Sequence, residues 1–194
     1  MLDTVARDGL VLLGCGKMGT ALLTGWLAAG VPPTSVWVLE PHPSDWLKST
    51  GVYLNEALPR APAVALVAVK PQMMGAALPA LQALGNGPTL FISIAAGTPM
   101  SAFAAALGAD TPIVRTMPNT PAMIGRGITG ICGNAQAGAA GLALARALML
   151  AHGGHLEVEA AAQVGTRVRL CFPAAQVRDV QGLPVAAGEP ALGG

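Results

Sequence analysis

Charged residues are scarce in this chain. Asp, Glu, Lys and Arg make up 11% of its 194 residues, and 11 basic residues against 10 acidic ones leave a net charge of +1. Binding to nucleic acid or to an acidic membrane surface needs a concentrated basic patch, which such a sparse and balanced charge does not supply. We therefore expect no nucleic acid and no membrane among its partners.

Long uninterrupted apolar runs are missing as well, although hydrophobic residues make up 53% of the chain. Glycines and prolines break the uncharged stretch 71–109 into pieces shorter than the ~20 residues that a membrane-spanning helix needs. The first residues include Asp3, Arg7 and Asp8 and lack the apolar core of a secretory signal. The sequence thus predicts a buried α/β core and a cytoplasmic protein.

Cysteine is rare too. Cys15, Cys132 and Cys171 lie far apart and show no metal-ligand spacing. We interpret them as reduced thiols in a reducing compartment. His152 and His155 are close together, but no third ligand lies near them in the sequence, so no metal site is predicted.

What the chain does contain is an alternation of short apolar runs with helical patterns. Strands are predicted at residues 10–13, 36–39, 64–69, 90–94, 112–115 and 156–158, and helices at 17–29, 44–50, 72–84, 100–107 and 136–151. Such alternation is typical of an α/β fold of the Rossmann type, a doubly wound parallel sheet with helices on both faces. We assign residues 1–163 to a dinucleotide-binding domain of this type and 164–194 to an irregular or disordered tail.

A Gly-x-Gly-x-x-Gly turn stands between the first predicted strand and the first predicted helix. Gly14 allows a sharp turn, Gly16 keeps a side chain out of the path of a pyrophosphate, and Gly19 lets the helix pack close to the strand. The N–H groups and the dipole at the start of the helix favour phosphate. In this context the motif predicts a dinucleotide pocket.

An acidic residue, Glu40, follows the second predicted strand. Its distance from the glycine turn is near the usual separation of roughly 20 residues for a carboxylate that bonds the adenosine ribose. A carboxylate there accepts a free 2′-hydroxyl and repels a 2′-phosphate, so the sequence favours NADH over NADPH. Two alternatives stay open: Glu40 is a solvated charge at a strand end, or Ser44 begins a helix that binds phosphate.

Three further loops follow predicted strands and complete a distinctive order of motifs. They are Val69-Lys70-Pro71, Ser93-Ile94-Ala95-Ala96-Gly97 and Arg115-Thr116-Met117-Pro118-Asn119-Thr120-Pro121. Together with the glycine turn, they closely resemble pyrroline-5-carboxylate reductase, in which V-K-P, S-x-A-A-G and R-x-M-P-N-T-P follow the glycine fingerprint in this order. The resemblance covers residues 9–163, the part that corresponds to the family's cofactor domain.

The resemblance implies hydride transfer from NADPH or NADH to the C=N bond of 1-pyrroline-5-carboxylate, giving L-proline. Catalytic residues stay unassigned, because the family takes its imine contacts largely from a second, all-helical domain that also forms the dimer. Arg115 stays open between a structural and a catalytic role. The residues that the resemblance places around the cofactor are Leu13, Gly14, Cys15, Gly16, Lys17, Met18, Gly19, Glu40, Asn55, Val69, Lys70, Pro71, Ala95, Ala96, Gly97, Met117, Pro118 and Asn119.

The sequence departs from the family after Gln163. The S-G-S-G-P-A segment of the family's helical domain is missing, and residues 164–194 scatter Pro, Gly and Ala without a helical period. We expect a truncated or frame-shifted product without the recognisable dimerisation domain, with apolar surface exposed over 142–150 and little reductase activity. The alternative is a real tail that serves as a linker or a docking peptide.

Two other functions stay open beside the reductase. One is a non-catalytic module that binds nicotinamide nucleotides. The other is a dehydrogenase of the 3-hydroxyacid type, which the M-P-N-T-P loop makes less favoured.

Overall fold

Seven strands form one sheet in this computed structural model, which describes residues 2–118, 129–150, 157–161 and 165–169. The strands are Leu10–Leu13 (β1), Val36–Leu39 (β2), Tyr53–Leu54 (β3), Val64–Val67 (β4), Leu90–Ser93 (β5), Ile113–Pro118 (β6) and Thr129–Gly133 (β7). Their spatial order is β3-β2-β1-β4-β5-β6-β7, and each neighbouring pair is parallel except β6 with β7. The predicted Rossmann-type α/β fold is confirmed.

Of the α-helices in the described residues, the first precedes β1, the last follows β7 and the others lie between strands. They are Leu2–Asp8 (α1), Lys17–Ala28 (α2), Asp45–Ser49 (α3), Met74–Ala77 (α4), Met100–Leu107 (α5) and Gly138–Leu150 (α6), and 3-10 helices span Pro33–Ser35, Pro71–Met73 and Leu78–Leu84. The prediction of one helix over 72–84 is wrong: the segment changes from 3-10 to α and back, because Pro79 has no N–H with which to continue α-helical bonding. Within the described residues, no helix combines the length and the apolar character that a membrane span requires.

Helices cover both faces of the sheet and bury two apolar clusters. On one face, Trp26 of α2 and Leu148 of α6 belong to the same cluster as Leu12 of β1. On the other face, Phe103 of α5 belongs to the same cluster as Phe91 of β5. Successive side chains of a strand point to opposite faces. Because both faces of the sheet are covered, β1, β4 and β5 are buried along their whole length. This explains why these strands appear in the sequence as continuous apolar runs.

Helix α6 packs into the first of these clusters. Leu148 is fully buried and Met149 is 6% exposed, while Leu142, Leu144 and Leu150 are partly buried against the same cluster. The prediction of exposed apolar surface over 142–150 is therefore wrong. The physical reason is that α6 lies on the sheet face that α2 also covers, so its apolar side is used within the chain.

Two paired strands flank the predicted domain boundary. Strand β8 (Glu157–Ala161) pairs antiparallel with strand β9 (Gly165–Arg169), and Val158 lies opposite Val168. The structure thus has a strand over 165–169 where the sequence predicts the start of an irregular tail, because Thr166 and Val168 are β-branched residues at alternate positions. Residues 170–194 lie outside the described part of the chain, and the boundary at 163 stays a prediction.

One buried hydrogen bond connects α2 to α6, and its removal is the first testable prediction. The Trp26 indole Nε1 donates to the Leu148 carbonyl oxygen at 3.0 Å. This carbonyl lies in the last turn of α6, where no intrahelical donor is available. We expect Trp26→Phe to lower the free energy of unfolding by about 1–3 kcal/mol, since the buried carbonyl is left unpaired.

Urea denaturation measures this loss, and Trp46→Phe is the matched control. Trp46 is 38% exposed, so its replacement is expected to change the free energy of unfolding by less than about 0.5 kcal/mol. Equal losses in the two variants would contradict the role of the Trp26 bond.

Candidate dinucleotide site

The glycine turn begins at the carboxyl end of β1 and leads into α2. Gly14 has a φ of +88°, and its N–H donates to the Leu39 carbonyl oxygen at 2.9 Å. A Cβ atom at Gly14 would lie 2.8 Å from Cγ1 of Val69 and 3.2 Å from the carbonyl of Ala68. Both the backbone conformation and the space therefore require glycine at this position.

The other two glycines of the turn differ sharply in their surroundings. A Cβ atom at Gly19 would lie 2.5 Å from the carbonyl oxygen of Gly14, so α2 packs against the turn as closely as a backbone can. A Cβ atom at Gly16 would meet no heavy atom within 4 Å. Gly16 is exposed and is the N-cap residue of α2, without a side-chain cap. Open space thus lies at the start of a helix, where N–H groups and the dipole favour an anion.

Glu40 does not stand free at the end of β2. Its Oε2 accepts a hydrogen bond from the backbone N–H of Cys15 at 2.7 Å, and its Oε1 accepts one from the N–H of His42 at 3.0 Å. The side chain is partly buried, and one end of it is held by the glycine turn itself. The interpretation of Glu40 as a purely solvated charge does not agree with this geometry.

Asn55 follows β3 and lies directly beside Glu40. Its Oδ1 accepts from the N–H of Glu40 and its Nδ2 donates to the carbonyl oxygen of Glu40, each at 2.9 Å. The backbone of Asn55 has a φ of +54°. Asparagine tolerates this left-handed conformation better than most residues do. The structure thus brings Asn55 to the same edge of the sheet as the glycine turn.

Cys15 lies inside the turn but is poorly suited to thiolate chemistry. Burial raises the pKa of its thiol, the hydrogen bond with Thr20 lowers it, and the charge of Glu40 raises it. The distance between the Cys15 Sγ and the Thr20 Oγ1 is 3.7 Å. A thiol with a raised pKa stays protonated at neutral pH and reacts slowly. The structure favours Cys15 as a packing residue of the turn.

Three other predicted site residues lie at the turn: the side chains of two pack in the core, and that of the third is exposed. Leu13, the last residue of β1, is buried in the second cluster, and Met18 is packed against the first. Lys17 is exposed at the first position of α2. Of these three side chains, only that of Lys17 is therefore in a position to meet a charged ligand.

The remaining predicted site residues follow the other parallel strands. Because parallel strands end at one edge of the sheet, their loops lie at the edge that holds the glycine turn. Asn119 lies outside the described residues. Val69, Lys70 and Pro71 follow β4, Ala95, Ala96 and Gly97 follow β5, and Met117 and Pro118 end β6.

These loops differ in exposure, and two buried hydroxyl residues shape the loop after β5. Met117 is 48% exposed. The Ser93 Oγ accepts from the N–H of Ala95 at 3.2 Å, and the Thr116 Oγ1 donates to the carbonyl oxygen of Ser93 at 3.4 Å. Sequence reasoning missed this role of Ser93 and Thr116, and the polar character of both residues within apolar strands is the signal that could have found it.

Arg115 pairs with Ser93 across β5 and β6 and with Cys132 across β6 and β7. Its Nε atom is buried and has no hydrogen-bond partner among the residues that the structure describes. The same residues contain no group of three His, Cys, Asp or Glu side chains that could hold a metal ion. His152 and His155 lie outside the described residues.

The fold and the glycine turn define the class of this domain, a Rossmann-type fold of the kind that binds dinucleotides. Comparison with known proteins agrees. Residues 10–97 match the family model described as NADP oxidoreductase coenzyme F420-dependent.

Within this class, the chain is similar to pyrroline-5-carboxylate reductases, and the resemblance predicted from its motifs is confirmed. It is 35% identical over 161 residues to that of Pseudomonas aeruginosa, covering 80% of this chain and 59% of that relative. It is 38% identical over 130 residues to the enzyme of that name from Escherichia coli, covering 63% of this chain and 48% of that relative. The chain thus spans about half the length of the curated relatives it matches.

Solved structures give the same result. A pyrroline-5-carboxylate reductase from Coxiella burnetii superposes with a TM-score of 0.68 at 27% identity, over 75% of this chain and 57% of that chain. A Plasmodium falciparum pyrroline carboxylate reductase with NADP bound superposes with a TM-score of 0.67 over 77% of this chain and 57% of that one. At 24% identity, the second likeness shows the fold alone.

Proposed function

We propose that this chain binds a nicotinamide dinucleotide and holds the hydride donor for the reduction of 1-pyrroline-5-carboxylate to L-proline. The observation that carries the proposal is the glycine turn. Gly14 and Gly19 are required by the packing of the turn, whereas Gly16 borders open space at the start of α2. A position where packing does not require glycine, but where a side chain would enter a phosphate's path, fits a pyrophosphate site.

The predicted residues divide among the parts of the dinucleotide. The turn from Gly14 to Gly19 and the first residues of α2 would hold the pyrophosphate. Glu40 and Asn55 would lie at the adenosine ribose. The loops Val69–Pro71 and Ala95–Gly97 would border the nicotinamide side, with Met117, Pro118 and Asn119 near its reactive end.

The bound nicotinamide would supply the hydride, which is the difficult part of the chemistry. Small side chains at Ala95, Ala96 and Gly97 leave room for a flat ring against the backbone. Correct placement of the reacting carbon about 3–3.5 Å from the hydride can contribute roughly 7–11 kcal/mol to lowering the barrier. The contribution of this chain is therefore orientation.

A proton donor for the imine nitrogen is not evident in the described loops after β5 and β6; Lys70, in the loop after β4, is exposed. The only titratable side chain in 94–99 and 113–118 is that of Arg115, and an arginine stays charged in proteins and cannot give up its proton. We propose that proton donation and imine binding need residues beyond those described, and that the chain alone is nearly inactive as a reductase. A non-catalytic nicotinamide-nucleotide-binding module is the second candidate, favoured by this same observation.

The compartment and the assembly state are also proposals. Cys15 and Cys132 are free thiols in the structure, which fits a reducing compartment such as the cytoplasm. The small-molecule substrate is expected to meet the domain at the edge where Ala95–Gly97 and Met117 lie. The resemblance implies that the family forms homo-oligomers through its helical domain, of which no recognisable segment is present in this sequence.

Dinucleotide binding is tested by fluorescence titration of the wild-type chain and Gly16→Val with NADH. We expect Gly16→Val to raise Kd at least about tenfold, or about 1.4 kcal/mol, because its side chain enters the phosphate site. Its urea midpoint is expected to fall only slightly below that of the wild type, because a Cβ atom at Gly16 would meet no heavy atom within 4 Å and only the preference for glycine over valine at the N-cap is lost. Gly19→Ala is the contrasting control: it lowers the midpoint. Equal NADH affinities in the wild type and Gly16→Val would show that the pocket is assigned wrongly.

Cofactor preference is tested with Glu40→Gln. A 2′-phosphate within about 4 Å of the Glu40 carboxylate is repelled by about 1–4 kcal/mol, depending on the local dielectric constant. We therefore expect wild type to bind NADH about tenfold or more tightly than NADPH, and Glu40→Gln to reduce that ratio. The preference should also weaken as salt is raised. Equal affinities for both cofactors, unchanged in Glu40→Gln, would contradict this preference.

Reductase activity is tested by steady-state formation of proline from 1-pyrroline-5-carboxylate and NADH. We expect turnover of the isolated chain to fall far below the 1–10³ s⁻¹ typical of enzymes. Gly16→Val serves as the control, because turnover that persists in it does not arise at this site. Turnover within the typical range that is lost in Gly16→Val would show that the chain holds a complete active site.

A further inference from the structure

We infer that Asn55 is a positioning residue for cofactor selectivity, which it sets by holding Glu40 against the glycine turn. The inference rests on the proposed function, and it gives Asn55 a role that does not require contact with the dinucleotide. The geometry consists of a continuous set of hydrogen bonds from β3, through Glu40, to the turn after β1.

Asn55 clamps the main chain of Glu40 from both sides. Its Oδ1 accepts from the Glu40 N–H and its Nδ2 donates to the Glu40 carbonyl oxygen, each at 2.9 Å. A carboxamide can donate and accept at the same time, which no carboxylate or ammonium group can do. The two peptide groups that flank the Cα atom of Glu40 are thus fixed, and with them the direction in which its side chain leaves the chain.

The other end of Glu40 is held by backbone donors. The carboxylate accepts from the N–H groups of Cys15 and His42, at 2.7 and 3.0 Å. Bonds of this kind, between an ionised acceptor and a backbone N–H, are shorter and stronger than neutral ones. The negative charge therefore has one preferred place, beside the turn proposed to hold the pyrophosphate.

Asn55 is itself well placed to act as a clamp. Its N–H donates to the carbonyl oxygen of Val38 at 2.8 Å, directly after the pairing of Leu54 with Val38. The rings of Trp37 and Tyr53 stack with centroids 4.8 Å apart at the same strand pair. This short strand thus has an aromatic anchor, and Asn55 continues from it in a conformation with a φ of +54°.

Loss of the clamp has a specific electrostatic consequence. Repulsion between the Glu40 carboxylate and a 2′-phosphate falls as their distance grows. Without the clamp, Glu40 is held only through the N–H groups of Cys15 and His42, so its charge spreads over more positions and discrimination against NADPH weakens. The packing of Gly14 and Gly19 does not depend on Asn55, so NADH binding is expected to change less than the ratio of the two dissociation constants.

The test compares Kd for NADH and NADPH in the wild type, Asn55→Gly and Asn86→Gly. Glycine adopts a positive φ without strain, so Asn55→Gly removes the clamp and leaves the backbone conformation accessible. Asn86 is the matched control: its φ is +53° and its Oδ1 accepts from Asp110 at 3.0 Å, in the loop that precedes β5. We expect the NADPH/NADH ratio of Kd values to fall at least threefold in Asn55→Gly and to stay unchanged in Asn86→Gly.

A double-mutant cycle with Glu40→Gln separates action through Glu40 from direct contact with the cofactor. In the Glu40→Gln background, Asn55→Gly should leave the ratio unchanged. A further fall there would overturn the positioning role. A readout without cofactor accompanies it: the amide proton resonance of Cys15 in the free protein should shift in Asn55→Gly and in Glu40→Gln, and stay in place in Asn86→Gly.

The outcomes distinguish the two proposals. Wild-type protein that binds neither NADH nor NADPH overturns the proposed function and the role of Asn55 with it. Wild-type protein that selects NADH, beside a folded Asn55→Gly variant with an unchanged ratio, overturns the role of Asn55 alone. An unchanged Cys15 amide resonance in Asn55→Gly does the same.

Discussion

The close approach of helix α2 to the turn after β1 is the constraint on which the rest of the site depends. A Cβ atom at Gly19 would lie 2.5 Å from the Gly14 carbonyl oxygen, and one at Gly14 would lie 2.8 Å from Val69. Because both positions lack a Cβ, the start of the helix lies directly at the edge of the sheet. Gly16, between them, borders open space. Within these six residues, Gly14 and Gly19 serve close packing, and Gly16 leaves space for a ligand.

The second constraint is electrostatic. Glu40 is the point at which the ends of β1, β2 and β3 are connected, through Cys15, its own backbone and Asn55. Its carboxylate lies near the start of α2, where the helix dipole stabilises a negative charge. The same charge would repel a 2′-phosphate on an adenosine ribose bound beside it. The candidate pocket therefore combines a phosphate-attracting helix start with a carboxylate beside it, and in our proposal cofactor selectivity depends on how firmly that carboxylate is held.

The sheet supplies a rigid base for these loops. Strands β1, β4 and β5 are buried on both faces, and α6 covers one face together with α2 through the contact of Trp26 with Leu148. The loops at the carboxyl edge extend from this base. The loop after β5 is further shaped by Ser93 and Thr116, whose buried hydroxyl groups bond the backbone at the edge where Met117 lies. Small side chains and fixed backbone there suit the orientation of a flat ring.

The sequence by itself determined the elements whose character is local. The bounds of β1, β2 and α5 agree with the prediction, because both strands are short runs of apolar residues, of which β1 is buried on both faces, and the helix has a proline before its first residue. The glycine spacing also predicted the candidate site, since each of the three glycines is needed there for a different steric reason. The tertiary structure alone decided what depends on distant partners. Strand β3 has only two residues, and it forms because they pair with Trp37 and Val38 of β2. Strand β7 pairs antiparallel with β6, although its sequence shows no preference for that direction. Asn55 and Glu40 are 15 residues apart, and no periodicity shows that the amide of one clamps the backbone of the other. The sequence showed which chemical groups are present. Which of them meet was decided by the crossover connections of the parallel sheet, because these bring loops that are remote in the sequence to one edge.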